Sequence, residues 1–472
     1  MWRINSFVLF LCFLGIDLPA QMDWVFVESI EFNGNRKTKE RTILREMDFA
    51  SGDSISISEL ANKLEQNRLF ILNTGLFILV KMNIKNWNGQ NNHIQIEVRL
   101  QENWYIYPFP VFELADRNFN IWWEEFNRSL KRVNYGIRFY HINTTGRRDQ
   151  LKLVLQRGFT QKYELSYTLP ALDGNDKLGL TGELFYKQNK DIGYITEGNR
   201  LLFQRNEDEI LLQRFRVGLG LLYRPGLRSY HQLKLDFQRN SISEYVRDNL
   251  NPNYFLGDAL KQRLLYLRYE YIYDNRDFRP YPQKGNRFSG VIEKEGLGVF
   301  NERNGRYVSA QYAQYLPIVK RLSLELIGKG RTALIRGFQP YNNYWAMGYG
   351  EDFLRGYEFY VIDGLDYIYL KSSLRINLLD FQFNWGRYML IPQFRVMPFR
   401  VYLTFNSDMA YVNDTQTAEI NPLGNRWLWG GGFGLDFLFY NDKVIQIQYS
   451  FNDLGENGLF LHLQFIVLHG QI

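Results

Sequence analysis

The sequence predicts a mainly β membrane protein: an antiparallel transmembrane β-barrel preceded by one small α+β domain. Three observations lead there. Aromatic residues make up 17% of the 472 positions, with 32 Tyr, 36 Phe and 10 Trp, yet the mean hydropathy is negative. No apolar run of the ~20 residues a membrane helix needs follows the N-terminus. From Trp104 to the end, apolar and polar residues alternate with period two, so lipid-facing and lumen-facing side chains cancel in the average.

The chain opens on Met1-Trp2-Arg3-Ile4 and a mostly apolar stretch to Ile16, the pattern of a secretory signal, with cleavage expected after Ala20. Cys12 is the only cysteine and lies inside that stretch. It follows Leu11 rather than a small residue, so lipidation is not expected, and the mature chain has no disulfide or thiolate metal site. A formal charge of +6 without a basic block gives no footprint for nucleic acid.

Residues 24–102 read as one module. Val27, Ile30 and Phe32 form a strand ending at Asn33-Gly34-Asn35. Thr38 is placed to cap a short helix carrying Ile43, Leu44 and Met47, and Ser58 to start a second with Leu60, Ala61, Leu64 and Leu72. Asn73-Thr74-Gly75 ends it. Two alternating strands follow, Val80, Met82 and Ile84, then Ile94, Ile96, Val98 and Leu100, joined by the loop Asn88-Gly89-Gln90-Asn91-Asn92. This β-α-α-β-β order, with Ile30-x-Phe32-x-Gly34-Asn35 and Thr74-Gly75-Leu76-Phe77-x-x-Val80, resembles a POTRA domain. The resemblance implies that the strand bearing Val80, Met82 and Ile84 is a docking edge for an extended partner strand.

Beyond Trp104 the strands are amphipathic. Leu233, Leu235 and Phe237 alternate with Lys234, Asp236 and Gln238, and Ile445, Ile447, Tyr449 and Phe451 with Gln446, Gln448 and Ser450. Tyr273-Asp274-Asn275-Arg276-Asp277, followed by Pro280, Pro282 and Gly285, reads as a turn between strands. Period two sets Arg400, Tyr402, Thr404, Asn406 and Asp408 on one face of a strand and Val401, Leu403 and Phe405 on the other, turning the acid inward.

Phe353-Leu354-Arg355-Gly356-Tyr357 resembles the arginine-glycine-aromatic tip of the sixth external loop in the BamA/TamA branch of the Omp85 superfamily, the bacterial surface antigen D15 barrels. Two departures stand out: leucine at 354 replaces the usual branched residue, and Asn406 stands where an aromatic is common. The resemblance implies a sixteen-stranded barrel, for which residues 105–472 supply 23 positions per strand. It also implies that Leu354, Arg355, Gly356 and Tyr357 fold into the lumen and that Asp408, on strand thirteen, receives Arg355. Pro108 and Pro110 then lie in the first strand, where missing donors suit an edge. Gly458, Leu461, Leu463 and Phe465 lie in the last, across a lateral seam. Domains are expected at 1–20 (signal), 21–103 (POTRA) and 104–472 (barrel).

No enzyme is expected. The five histidines, at 93, 141, 231, 462 and 469, show no metal-ligand spacing, and no serine or acid is placed to make His462 a base. Gly430-Gly431-Gly432-x-Gly434 is no phosphate loop, since no helix follows; glycine there makes room in the barrel. The family resemblance implies an outer-membrane protein that inserts or assembles others without cofactor. Unfolded outer-membrane clients, outer-membrane lipid and accessory lipoproteins are the partners it allows, with the POTRA domain in the periplasm. A dedicated translocator or lipid-handling member, and a passive pore, are the competing readings.

Overall fold

A computed structural model of the chain describes residues 23–87, 92–114, 128–130, 133–172, 176–206, 208–300, 303–350, 352–440 and 443–465. The expected signal with Cys12 and Ala20, and the tip of the loop at 88–91, lie outside them. In the N-terminal domain Trp24–Asn33 pairs antiparallel with the short strand Ser54–Ser56 and parallel with His93–Glu102, which in turn pairs antiparallel with Phe77–Lys85. A register shift between Val27 and Ser29 explains why Val25 and Val27 and then Ile30 and Phe32, of opposite parity, all face the core. Helices Glu40–Leu44 and Ile57–Leu72 cover one sheet face, packing Ile43, Leu60 and Ile71 on Ile94, Ile96 and Val98.

Two expectations are corrected here. Thr38 caps no helix: the first helix has Lys39 at its N-cap, while Thr38 Oγ1 lies 2.9 Å from Tyr105 Oη. The second helix starts at Ile57, one residue before Ser58, because Ser54-Ile55-Ser56 pairs as a strand too short to show periodicity.

In the remaining chain sixteen strands form one sheet, each pairing with the next of the sixteen, and two short hairpins, Asp191–Glu197 with Arg200–Arg205 and one described below, stand apart from it. The first strand is Ile106–Leu114; the eleventh to sixteenth are Leu322–Ala333, Asp366–Asn384, Val396–Asn413, Trp427–Phe439, Lys443–Asn452 and Asn457–Phe465. Outward positions are apolar and bare: Leu219 is 70% exposed, Leu459 72% and Leu461 63%. Inward positions such as Glu164, Asp236, Arg375 and Asp408 are buried. Such a wall is stable only against lipid, where strands that pair with neighbours leave few main-chain groups unsatisfied. Among the described residues no helix is long and apolar enough to cross a membrane.

The first and last strands are the two ends of the sheet order, and among the described residues no pairing joins them. Pro108 and Pro110 pair with Phe139 and Ile137 of the second strand; spaced by two, they remove donors from one edge only. At one end of the barrel the N-terminal domain sits on the turns between strands. Asn73 Nδ2 donates to the Asp277 carbonyl at 2.8 Å, and Arg279 N donates to Asn73 Oδ1 at 3.0 Å. The stretch from Asp274 to Gly285 is the turn that the sequence suggested.

Candidate functional site

The site is built from the connection between the eleventh and twelfth strands, residues 334–365, which turns back into the lumen. A short pairing of Trp345–Met347 with Ile362–Asp363 closes it. Its apolar side, Met347, Leu354, Tyr357 and Ile362, packs on Tyr367, Tyr369, Ala410 and Val412 of the barrel wall. Leu354 fills this cluster at 2% exposure, so the departure from a branched residue costs no burial.

Packing aims Arg355 at the thirteenth strand. Its Nε donates to Asp408 Oδ2 at 2.8 Å, its Nη2 to Asp408 Oδ1, and its backbone N–H to Oδ2 at 3.2 Å. Nη1 donates to Ser373 Oγ at 2.9 Å and Nη2 to the Ser372 carbonyl at 3.1 Å. Asp408 is fully buried. The guanidinium and carboxylate meet as two parallel forks, the strongest geometry this pair has. Asn406 faces the lumen beside Asp408, and its Nδ2 lies 3.4 Å from Thr404 Oγ1. The donors of Arg355 not taken by Asp408 thus go to the Ser373 hydroxyl and the Ser372 main chain.

Glycine is required twice. Gly356 has φ +86°, and a Cβ there would stand 2.5 Å from the Phe451 carbonyl oxygen. Gly430, opposite Asp408 on the fourteenth strand, leaves space that the Arg355 carbonyl oxygen occupies; this is the room expected of the glycine run. Gly430→Ala should lower stability by ~1–3 kcal/mol through this overlap, read as a lower temperature at which the barrel loses its compact form on a gel. An unchanged temperature would show that the loop does not seat there.

Beyond Arg355 the same loop holds the last hairpin. Tyr357 Oη donates to Asp453, Tyr360 Oη to Glu456 Oε1 at 2.8 Å, and Asn452 Nδ2 to the Gly356 carbonyl at 2.7 Å. Phe353 stacks on His462 with ring centres 5.2 Å apart, and Glu358 Oε1 lies 3.9 Å from His462 Nε2. His462 therefore faces inward while Leu461 and Leu463 face out. One loop joins the thirteenth strand to the seam strand carrying Gly458, Leu461, Leu463 and Phe465. Asp352, which accepts from Tyr367 at 2.9 Å and Tyr369 at 3.0 Å and pairs with Lys329, had no signature in the sequence; nor did Asp453.

In the N-terminal domain Phe77–Lys85 is an edge of its sheet. Val80, Met82 and Ile84 belong to the core on its inner side, so the strand offers its main chain and the exposed side chains Leu79, Lys81 and Asn83.

A family model described as the Omp85 superfamily domain matches residues 143–372, and one described as a POTRA, surface antigen variable number repeat, matches 25–103. No curated protein matches the sequence. Among solved structures, BamA from Haemophilus ducreyi lacking POTRA domains 1-3 superposes with a TM-score of 0.52 at 15% identity, covering 93% of this chain and 84% of that one. CdiB from Escherichia coli gives 0.54 at 13% identity, covering 93% and 75%.

Proposed function

The chain belongs to the Omp85 superfamily and carries a POTRA domain, and from that premise we propose that it inserts or assembles proteins in the bacterial outer membrane. The POTRA domain would lie in the periplasm and receive an unfolded client on the free main-chain edge of Phe77–Lys85. The client's strand would then pair at the seam between Ile106–Leu114 and Asn457–Phe465. The observation that carries this reading is the sheet order, which ends at those two strands with no pairing between them among the described residues. An unpaired edge in lipid is costly, and an incoming strand satisfies it.

No catalytic residue, cofactor or nucleotide is assigned to this task. Burial of the client's apolar face and closure of its hydrogen-bond edges supply the driving force. Depletion of the protein followed by outer-membrane proteomics tests it. The expected result is loss of many barrel proteins. Loss of a single protein would replace the reading with a dedicated translocator, and an unchanged membrane with a pore or a lipid-handling role.

A further inference from the structure

Where the POTRA domain meets the barrel, residues of both line a partly open cavity of about 140 Å³. Four guanidinium groups line it, those of Arg45, Arg148, Arg224 and Arg279. Its apolar wall includes Leu72, Phe77, Leu222 and Phe278, and among the described residues no carboxylate lines it. The acids stand behind the wall. Glu46 grips Arg224 through two contacts of 2.6 and 2.7 Å and lies only 3.3 Å from Arg45 and 3.7 Å from Arg148. Asp274 takes Arg276 at 2.8 Å and Arg279 at 3.1 Å.

Five buried guanidinium groups therefore share two carboxylates. The other acids of these turns are engaged elsewhere: Asp149 accepts from Thr145 and Tyr167, and Asp277 from the backbone N–H groups of Phe278 and Gln283. Arg148 is the least satisfied. Its side chain is 13% exposed and, among the described residues, donates no hydrogen bond within bonding distance. It also sits at φ 66°, a left-handed conformation that asparagine or glycine adopts more readily than arginine. Burial, with Arg279 and Arg224 nearby, outweighs Glu46 and pushes its guanidinium down to about 10, so it stays charged at neutral pH. A buried cation without hydrogen bonds is costly unless something anionic meets it.

We propose that this junction cavity binds an oxyanion group, carboxylate or phosphate, carried on an apolar body of about the size of a benzene ring, with Arg148 as its principal donor. A dry cavity of ~150 Å³ takes up benzene in another protein, and the guanidinium fork matches either oxyanion. The proposal is independent of the insertion reading, since it rests on the cavity and its charges alone.

The test is calorimetric titration of the full chain in detergent micelles with benzoate, phenyl phosphate, inorganic phosphate and benzyl alcohol. Benzoate or phenyl phosphate should bind at least tenfold tighter than either of the last two, and the tighter of the pair tells carboxylate from phosphate. Arg148→Asn should weaken that binding by roughly tenfold or more, the range of a charged hydrogen bond. Because asparagine suits the left-handed backbone, the thermal midpoint of the unliganded protein should hold or rise. Arg45→Gln is the second variant, expected to weaken binding in the same direction. Inorganic phosphate binding as tightly would mean an adventitious ion only, and benzyl alcohol binding as tightly an apolar void; either overturns the proposal. So does absence of binding by all four, or unaltered affinity in Arg148→Asn.

Discussion

Arg355→Ala should leave the barrel in the membrane while lowering both its heat resistance and its function, and Asp408→Ala should do the same to a similar degree. The expected loss is ~3–5 kcal/mol for either, because each change strands the partner's charge in a buried site. In the first, Asp408 would lose the side-chain donors Nε and Nη2 and keep only the backbone N–H of residue 355; in the second, Arg355 would keep only Ser373 and the Ser372 carbonyl. The double substitution should be no worse than the more harmful single one, since a charge already stranded is then removed. Additive losses in that cycle would falsify direct pairing. Arg355→Lys should rescue little, because an ammonium cannot engage both carboxylate oxygens as a fork and reach Ser373 as well. A functional loss should accompany the thermal one, because the loop that carries Arg355 also holds Asn452, Asp453, Glu456 and His462. Freeing the arginine loosens the hairpin that bears the seam.

How far this could be read from the sequence depends on the range of the forces involved. Period two is a local property of the strand, so the inward turn of Asp408 and the outward turn of Leu461 and Leu463 were legible. The Arg355–Asp408 pair was reached through the motif's resemblance, with parity supplying the face. Gly430 could be suspected of making room, but not what fills it, because the Arg355 carbonyl arrives from a loop that begins some hundred residues earlier in the chain. Asp352, Asp453 and Glu456 looked like ordinary loop acids; only the return of the loop into the lumen gives them tyrosine partners. The bulge after Val27 and the strand Ser54–Ser56 left no trace because each depends on pairing with a partner strand. Thr38 misled for a related reason: its local context suits a cap, and Tyr105, 67 residues away, takes its hydroxyl instead.

The same separation in sequence hid the ion pair that docks the two domains. Glu46, at 4% exposure in the POTRA domain, meets Arg224 of the barrel turn 178 residues later. Burial alone would raise its pKa, but Arg224, with Arg45 and Arg148, more than offsets that and holds the carboxyl well below its usual value of 4.5. A carboxylate whose pKa is lowered on folding stabilises the docked form at pH above its unfolded value. That contribution fades as pH falls below about 4.5 and through the lower folded value. The junction should therefore resist proteolysis evenly from pH 7 to about 5, and the POTRA domain should loosen from the barrel only in stronger acid. Glu46→Gln should loosen it at neutral pH by ~3–5 kcal/mol, the cost of leaving buried guanidinium groups without their acid, and should flatten the acid response. Pairing that change with Arg224→Gln should recover part of the loss, since one stranded charge is then gone. Limited proteolysis of the segment between the domains across pH 3–8 reads all three outcomes. Wild-type cleavage rising steadily from neutral pH would sink the assignment, because a carboxylate held by three arginines does not titrate there.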